Sequence, residues 1–293
     1  MENEAIVRKY VQINDANRQN LPLIGNHGNT DNSSSNKKSS YSSFSDPCEE
    51  SIYGHFGWVQ LGKVLIPYIF RQSEKYCSVR MIEQKILGQY LDFLHSDFYS
   101  SCSCVPSYYI TDAEARLFNE INQCHCDGQF GPDIFNQKDL IVRLSDASQL
   151  NLFLAICYRK LVSDIKNPSE KCGFLRINKE SVVPYTVHNN QQVVPFFYFE
   201  GETESLKTKA VVLSGWNLAY LKFCCKVQGI NNNHFSSENL DVVSLTVIKS
   251  YFPNGTEFEE FWPSKAIFWN LPINNRDSVN NGGGCIDNTV QHF

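Results

Sequence analysis

The residues whose type and spacing best suit chemistry are cysteines set in pairs. "CSC" places Cys102 and Cys104 at alternate positions, and "CHC" groups Cys124, His125 and Cys126. A structural zinc ion takes four thiolate or imidazole ligands in a tetrahedron at about 2.0–2.3 Å. Cys102, Cys104, Cys124 and Cys126 therefore form a candidate zinc set, with His95 or His125 as an alternative ligand. Neither pair has the familiar C-x2-C spacing. Alternate residues of an extended segment also simply share a face, so packed free thiols are the competing reading. A helix between the pairs would be about 15 Å long for roughly ten residues. One metal would then require the stretch 105–110 to fold back. Cys224 and Cys225 are adjacent, which on a helix turns them in different directions and points to packing.

Other chemistry finds less support. No G-x-S-x-G, H-E-x-x-H or Walker A pattern occurs. "NNGGGC", ending at Cys285, has no strand before it or helix after it to make a phosphate cradle. Glu259 and Glu260 are neighbours and point apart, as in a solvated strip rather than a general acid/base pair. No catalytic or cofactor-binding residue is assigned, and an enzyme with a novel Cys or metal site is kept only as an alternative.

Aromatic residues cluster twice, at Phe196–Phe199 and at Phe258, Phe261, Trp262, Phe268 and Trp269. Single-stranded nucleic acid is bound by such platforms when Lys and Arg flank them. Here the flanks are Glu200, Glu202 and Glu204, then Glu257, Glu259 and Glu260. Acid-rimmed aromatics suit a protein interface better. Phe258, Phe261, Trp262 and Trp269 are the candidate partner-binding residues, with core packing of edge strands as the plainer role.

Net charge agrees. It is −5, with an isoelectric point near 5.8, and no basic stripe runs through the chain. A nucleic-acid-binding module, with or without zinc, is an alternative that would need Arg71, Lys75, Arg80, Lys85, Arg143, Arg159 and Lys160 on one face. The opening MENEAIVRKYVQ mixes charges and has no apolar core, so no secretory leader is expected. No apolar run is long enough to span a bilayer, and no membrane partner is expected. Nucleus or cytoplasm follows, the nucleus favoured by the Asn- and Ser-rich composition of the first fifty residues or so.

These side chains must be held by a fold, and the periodicity gives its parts. "GWVQLGKVLIPYIF" from Gly57 and "GFLRINKESVVPYTV" from Gly173 both start on Gly and an aromatic, alternate, and reach Pro-Tyr. Each reads as a hairpin, the first turning at Gly62-Lys63. Pro67 and Pro184 are expected to end strands at a sheet edge. Helices are expected from about Arg80 to Leu94, after a capping box at Thr111 and Glu114, after Asp146, and from Asn217 to Val227. "KDLIVRLSD", "QQVVPFFYFEGE", "KTKAVVLSG" and "DVVSLTVIKSYF" read as strands. A short helix over residues 5–11 is a further expectation.

The expected class is α+β: mixed or antiparallel sheets with about four packed helices, in which the two similar hairpins mark either two related halves or, more simply, two unrelated hairpins of like alternation. The expected layout is a disordered tail over 1–50, a first module over 51–168, a second over 169–273 and a tail over 274–293. The functional expectation is a non-enzymatic regulatory or scaffolding protein of the nucleus, related to transcription or chromatin, that acts on a protein partner.

Overall fold

The structure is a computed structural model. It describes residues 11–13, 55–90, 93, 94, 98, 101–162, 170–199, 204–229 and 237–263. The expected tails, the helix over 5–11, His95 and Trp269 lie outside the described residues, apart from 11–13. The fold is α+β with antiparallel sheets, as expected.

In chain order the strands are β1 (Val11–Ile13), β2 (Phe56–Leu61), β3 (Val64–Arg71), β4 (Glu74–Ser78), β5 (Val105–Tyr109), β6 (Leu140–Arg143), β7 (Cys172–Ile177), β8 (Ser181–His188), β9 (Gln191–Pro195), β10 (Val211–Ser214), β11 (Asn239–Ser244) and β12 (Phe258–Phe261). The helices are α1 (Val79–Lys85), α2 (Asp112–Glu120), α3 (Leu144–Val162), α4 (Glu204–Lys207), α5 (Gly215–Val227) and α6 (Leu245–Tyr251). One sheet runs β1-β5-β6-β4-β3-β2 and the other β10-β11-β9-β8-β7-β12. The chain divides into two compact units. One comprises residues 11–86 and 106–147; the other comprises 1–10, 87–105 and 148–293.

Within each sheet the connectivity is the same. β2-β3-β4, a helical turn, β5, α2, β6, α3 is matched in order by β7-β8-β9, a helical turn, β10, α5, β11, α6. The correspondence holds residue by residue. Gly57 pairs with Tyr68 and Trp58 with Pro67, as Gly173 pairs with Tyr185 and Phe174 with Pro184. A two-residue turn with both residues at left-handed φ follows each middle strand, Gln72-Ser73 and Asn189-Asn190. Cys77 pairs with Val142 as Val194 pairs with Val243, and both closing strands run straight into a helix, at Leu144 and Leu245. Thr111 and Ser214 occupy the same N-cap position. The two Pro-Tyr hairpins are thus equivalent parts of two copies of one motif.

Several local expectations are corrected. Pro67 and Pro184 lie inside strands that have neighbours on both sides. Along β3, β4 pairs only with Tyr68–Arg71, and along β8, β9 pairs only with Thr186–His188. At each proline the strand is therefore laddered on one side, and a residue without an N–H is tolerated there. The helix from Arg80 stops at Lys85, and Leu87–Gln89 around Gly88 tightens to 3-10 geometry. Asp146 lies in the first turn of α3 rather than at its cap. "DVVSLTVIKSYF" is strand only to Ser244, and "QQVVPFFYFEGE" only to Pro195, where Phe196–Phe199 coils into 3-10.

The second sheet is covered on both faces, which explains its Val-Val pairs. Val193 and Val242 face Leu218, Leu221 and Cys225 of α5, while Val194 and Val243 face Leu206, Leu245 and Ile248. Among the described residues no helix is long and apolar enough to cross a membrane.

Candidate interaction surface

Cys102 is buried and Cys104 exposed, while Cys124 is exposed and Cys126 buried. The intervening stretch does not fold back as a loop; Val105–Tyr109 is strand β5. Cys102 and Cys104 belong to one compact unit, and Cys124 and Cys126 to the other. Among the described residues no three His, Cys, Asp or Glu side chains stand together as a metal group would require. The His125 ring lies against Phe56, centroids 5.0 Å apart and tilted by 46°.

Burial governs the remaining thiols. It pushes Cys77 up to about 12 and raises Cys157, Cys224 and Cys225 well above the ordinary value. It also raises Cys126 to about 11, with Lys85 opposing and Asp127 adding to the shift. Such thiols are protonated at neutral pH and are poor nucleophiles. Cys224 shares a side-chain hydrogen bond with Cys172. Lys160, 4% exposed, lies over the Trp262 ring, and burial lowers its pKa.

The cations that a nucleic-acid face would need are largely engaged. Arg71 holds Glu114 through two bonds of 2.7 and 2.5 Å and donates to the Tyr109 carbonyl. Arg80 donates to Asp139 and the Asp133 carbonyl and lies on the Phe135 ring. Arg143 bonds to Tyr76, Lys85 donates to Gln129, and Arg159 pairs with Glu170.

The aromatics of β12 sit within their own unit. Phe258 packs against the core beside Phe252, and Trp262 is buried on Phe174 and Phe223. Phe261 lies under the Arg176 guanidinium at 3.8 Å. β12 itself covers the outer edge of β7, in the register Phe258 to Ile177, Glu259 to Arg176, Glu260 to Leu175 and Phe261 to Phe174. Glu260 accepts from Gln192 at 2.7 Å, and Glu259 stands 3.8 Å from Arg176.

The equivalent edge in the other unit is β2, and among the described residues no strand pairs with its outer side. The consequence is visible at matched positions. Phe174, under β12 and Trp262, is fully buried, whereas Trp58, its counterpart, is 43% exposed. Leu65 and Phe70 on the neighbouring strand are 60% and 43% exposed. Phe70 stands edge-on to Tyr68, and Lys75 lies over the Tyr68 ring at 4.7 Å. The edge strand β10 also exposes Val211 and Val212.

Sequence reasoning missed Trp58, Leu65 and Phe70 as site candidates, and placed Lys75 only in a nucleic-acid face. The alternation of the hairpin was legible, but which strand is left uncovered depends on strand order. Comparison of the chain with protein-family models, with curated proteins and with solved structures finds no match.

Proposed function

We propose that this chain is a non-enzymatic regulatory or scaffolding protein of the nucleus, acting through protein–protein contacts, and that the outer edge of β2 is its contact surface. The observation that carries the reading is the difference between the two copies. The motif covers this edge with a strand in one copy and leaves Trp58, Leu65 and Phe70 exposed in the other. Exposed strand edges are usually blunted, because they recruit other strands. An uncovered edge bordered by large apolar side chains marks an interaction site. Protonated, buried thiols and structurally engaged arginines support this reading over the enzymatic and nucleic-acid ones.

The test is comparative affinity capture from cells at native expression level. Wild-type chain is set against a Trp58→Asp/Phe70→Asp variant whose thermal unfolding matches wild type. A partner recovered with wild type and lost with the variant is the expected result. Identical partner sets would refute the surface. Imaging of the tagged chain tests the nuclear assignment separately.

A further inference from the structure

From the repeat we infer the partner's chemistry: an extended acidic–aromatic segment of another protein adds to β2 as an antiparallel strand, its carboxylate on Lys75 and its aromatic ring on Trp58. This rests on the proposal that β2 is the contact surface, and it goes further by naming what binds there and in which register.

The matched registers carry the argument. Trp58, Val59, Gln60 and Leu61 stand where Phe174, Leu175, Arg176 and Ile177 stand in the other copy. There, β12 supplies aromatic residues opposite Phe174 and Ile177 and the carboxylate of Glu260 opposite Leu175. Gln192 reaches across to that carboxylate. By the turn-to-turn correspondence, the position of Gln192 is held by Lys75. Lys75 is exposed, and among the described residues it faces only the rings of Tyr68 and Phe70. Replacing the neutral amide by an ammonium group turns a hydrogen bond to a carboxylate into a hydrogen-bonded ion pair. It therefore selects for an acid in the incoming strand. Trp58 offers a larger ring than Phe174 at the place where Phe261 and Trp262 pack in the covered copy. Strand addition obtains its affinity from the backbone ladder and its specificity from alternate side chains. The two determinants fall on opposite faces of the added strand, Lys75 on one and Trp58 on the other.

The probe is a fluorescently labelled peptide of residues 256–263, TEFEEFWP, which carries this pattern. It is titrated into the full chain and followed by anisotropy. Saturable binding is expected, weakened tenfold or more by Lys75→Glu and by Trp58→Ala. A peptide carrying Glu260→Lys is expected to bind the Lys75→Glu protein better than the wild-type protein. Both substituted residues are exposed, and matched circular dichroism confirms that the variants fold. Binding unaffected by either substitution would place the peptide elsewhere, including in exchange with β12 itself, and would overturn the inference. So would the absence of binding at millimolar peptide. Concentration-dependent dimerisation abolished by Trp58→Ala would replace the partner with a second copy of this chain and would also overturn it. If peptide binding fails while the Trp58→Asp/Phe70→Asp variant still loses its cellular partner, the register is wrong and the surface stands. If both fail, the surface is wrong.

Discussion

Glu114 performs two tasks with one carboxylate. It accepts from the Thr111 backbone N–H at 2.7 Å, closing the capping box, and it receives the Arg71 fork. Burial pushes its pKa up, but the bonds from Arg71 and Thr111 outweigh burial and hold it below the ordinary 4.5. A carboxyl lowered on folding stabilises above its unfolded pKa, and that contribution is lost as pH falls through the folded value. Glu114→Gln keeps a capping side chain but removes the charge. It should cost roughly 1–2 kcal/mol at pH 7, given partial solvent screening. It should also flatten the fall of melting temperature below about pH 4.5, measured by calorimetry across pH. Gly57 poses a steric question instead. A Cβ there would stand 2.5 Å from Tyr68 Oη and 2.6 Å from Cζ, because the tyrosine ring crosses its cross-strand partner. Gly57→Val should destabilise by about 1–3 kcal/mol. Pairing it with Tyr68→Ala should recover part of the loss, a non-additivity that denaturant titration would read.

At the scale of elements, the two copies use one plan with different chemistry. Each ties the end of its middle strand to the third residue of the capped helix, through Arg71 and Glu114 in one copy and His188 and Asn217 in the other. The caps differ. Thr111 Oγ1 accepts from the Glu114 N–H, whereas Ser214, at the same position, makes no side-chain cap bond. Thr111→Ala should therefore cost about 1 kcal/mol, and Ser214→Ala should change the unfolding midpoint little. The capping box was readable because its geometry is local. Leu245 and Val247 were not, since a strand pattern and the start of a helix share their first apolar positions. What turns the chain helical there is the sheet beneath. Val243 completes the ladder with Val194, while Leu245 and Ile248 are drawn into the core below it.

For the whole molecule, burial separates reactive from silent thiols. Among the described residues Cys104 and Cys124 are exposed, while Cys77, Cys102, Cys126, Cys157, Cys172, Cys224 and Cys225 are buried. A thiol reagent on native protein should label the two exposed residues first. The seven buried ones should react only as the fold opens, with the denaturant dependence of global unfolding. Mass spectrometry of the labelled peptides checks this. Early labelling of Cys157 or Cys224 would show that the Phe153, Tyr220 and Phe223 core around them is not closed.

The amino-acid sequence by itself determined the class of fold, the capped helix after Thr111 and the likeness, though not the kinship, of the two Gly-aromatic…Pro-Tyr hairpins. All of these follow from side-chain period and turn chemistry within a few residues. Tertiary structure alone decided strand order. It placed Pro67 and Pro184 inside their sheets and put Cys102 and Cys126 in different units. It also covered β7 with β12, whereas among the described residues no strand covers β2. The physical reason is that a strand's neighbours are chosen by long-range pairing and burial, and alternation encodes only which face of a strand is apolar.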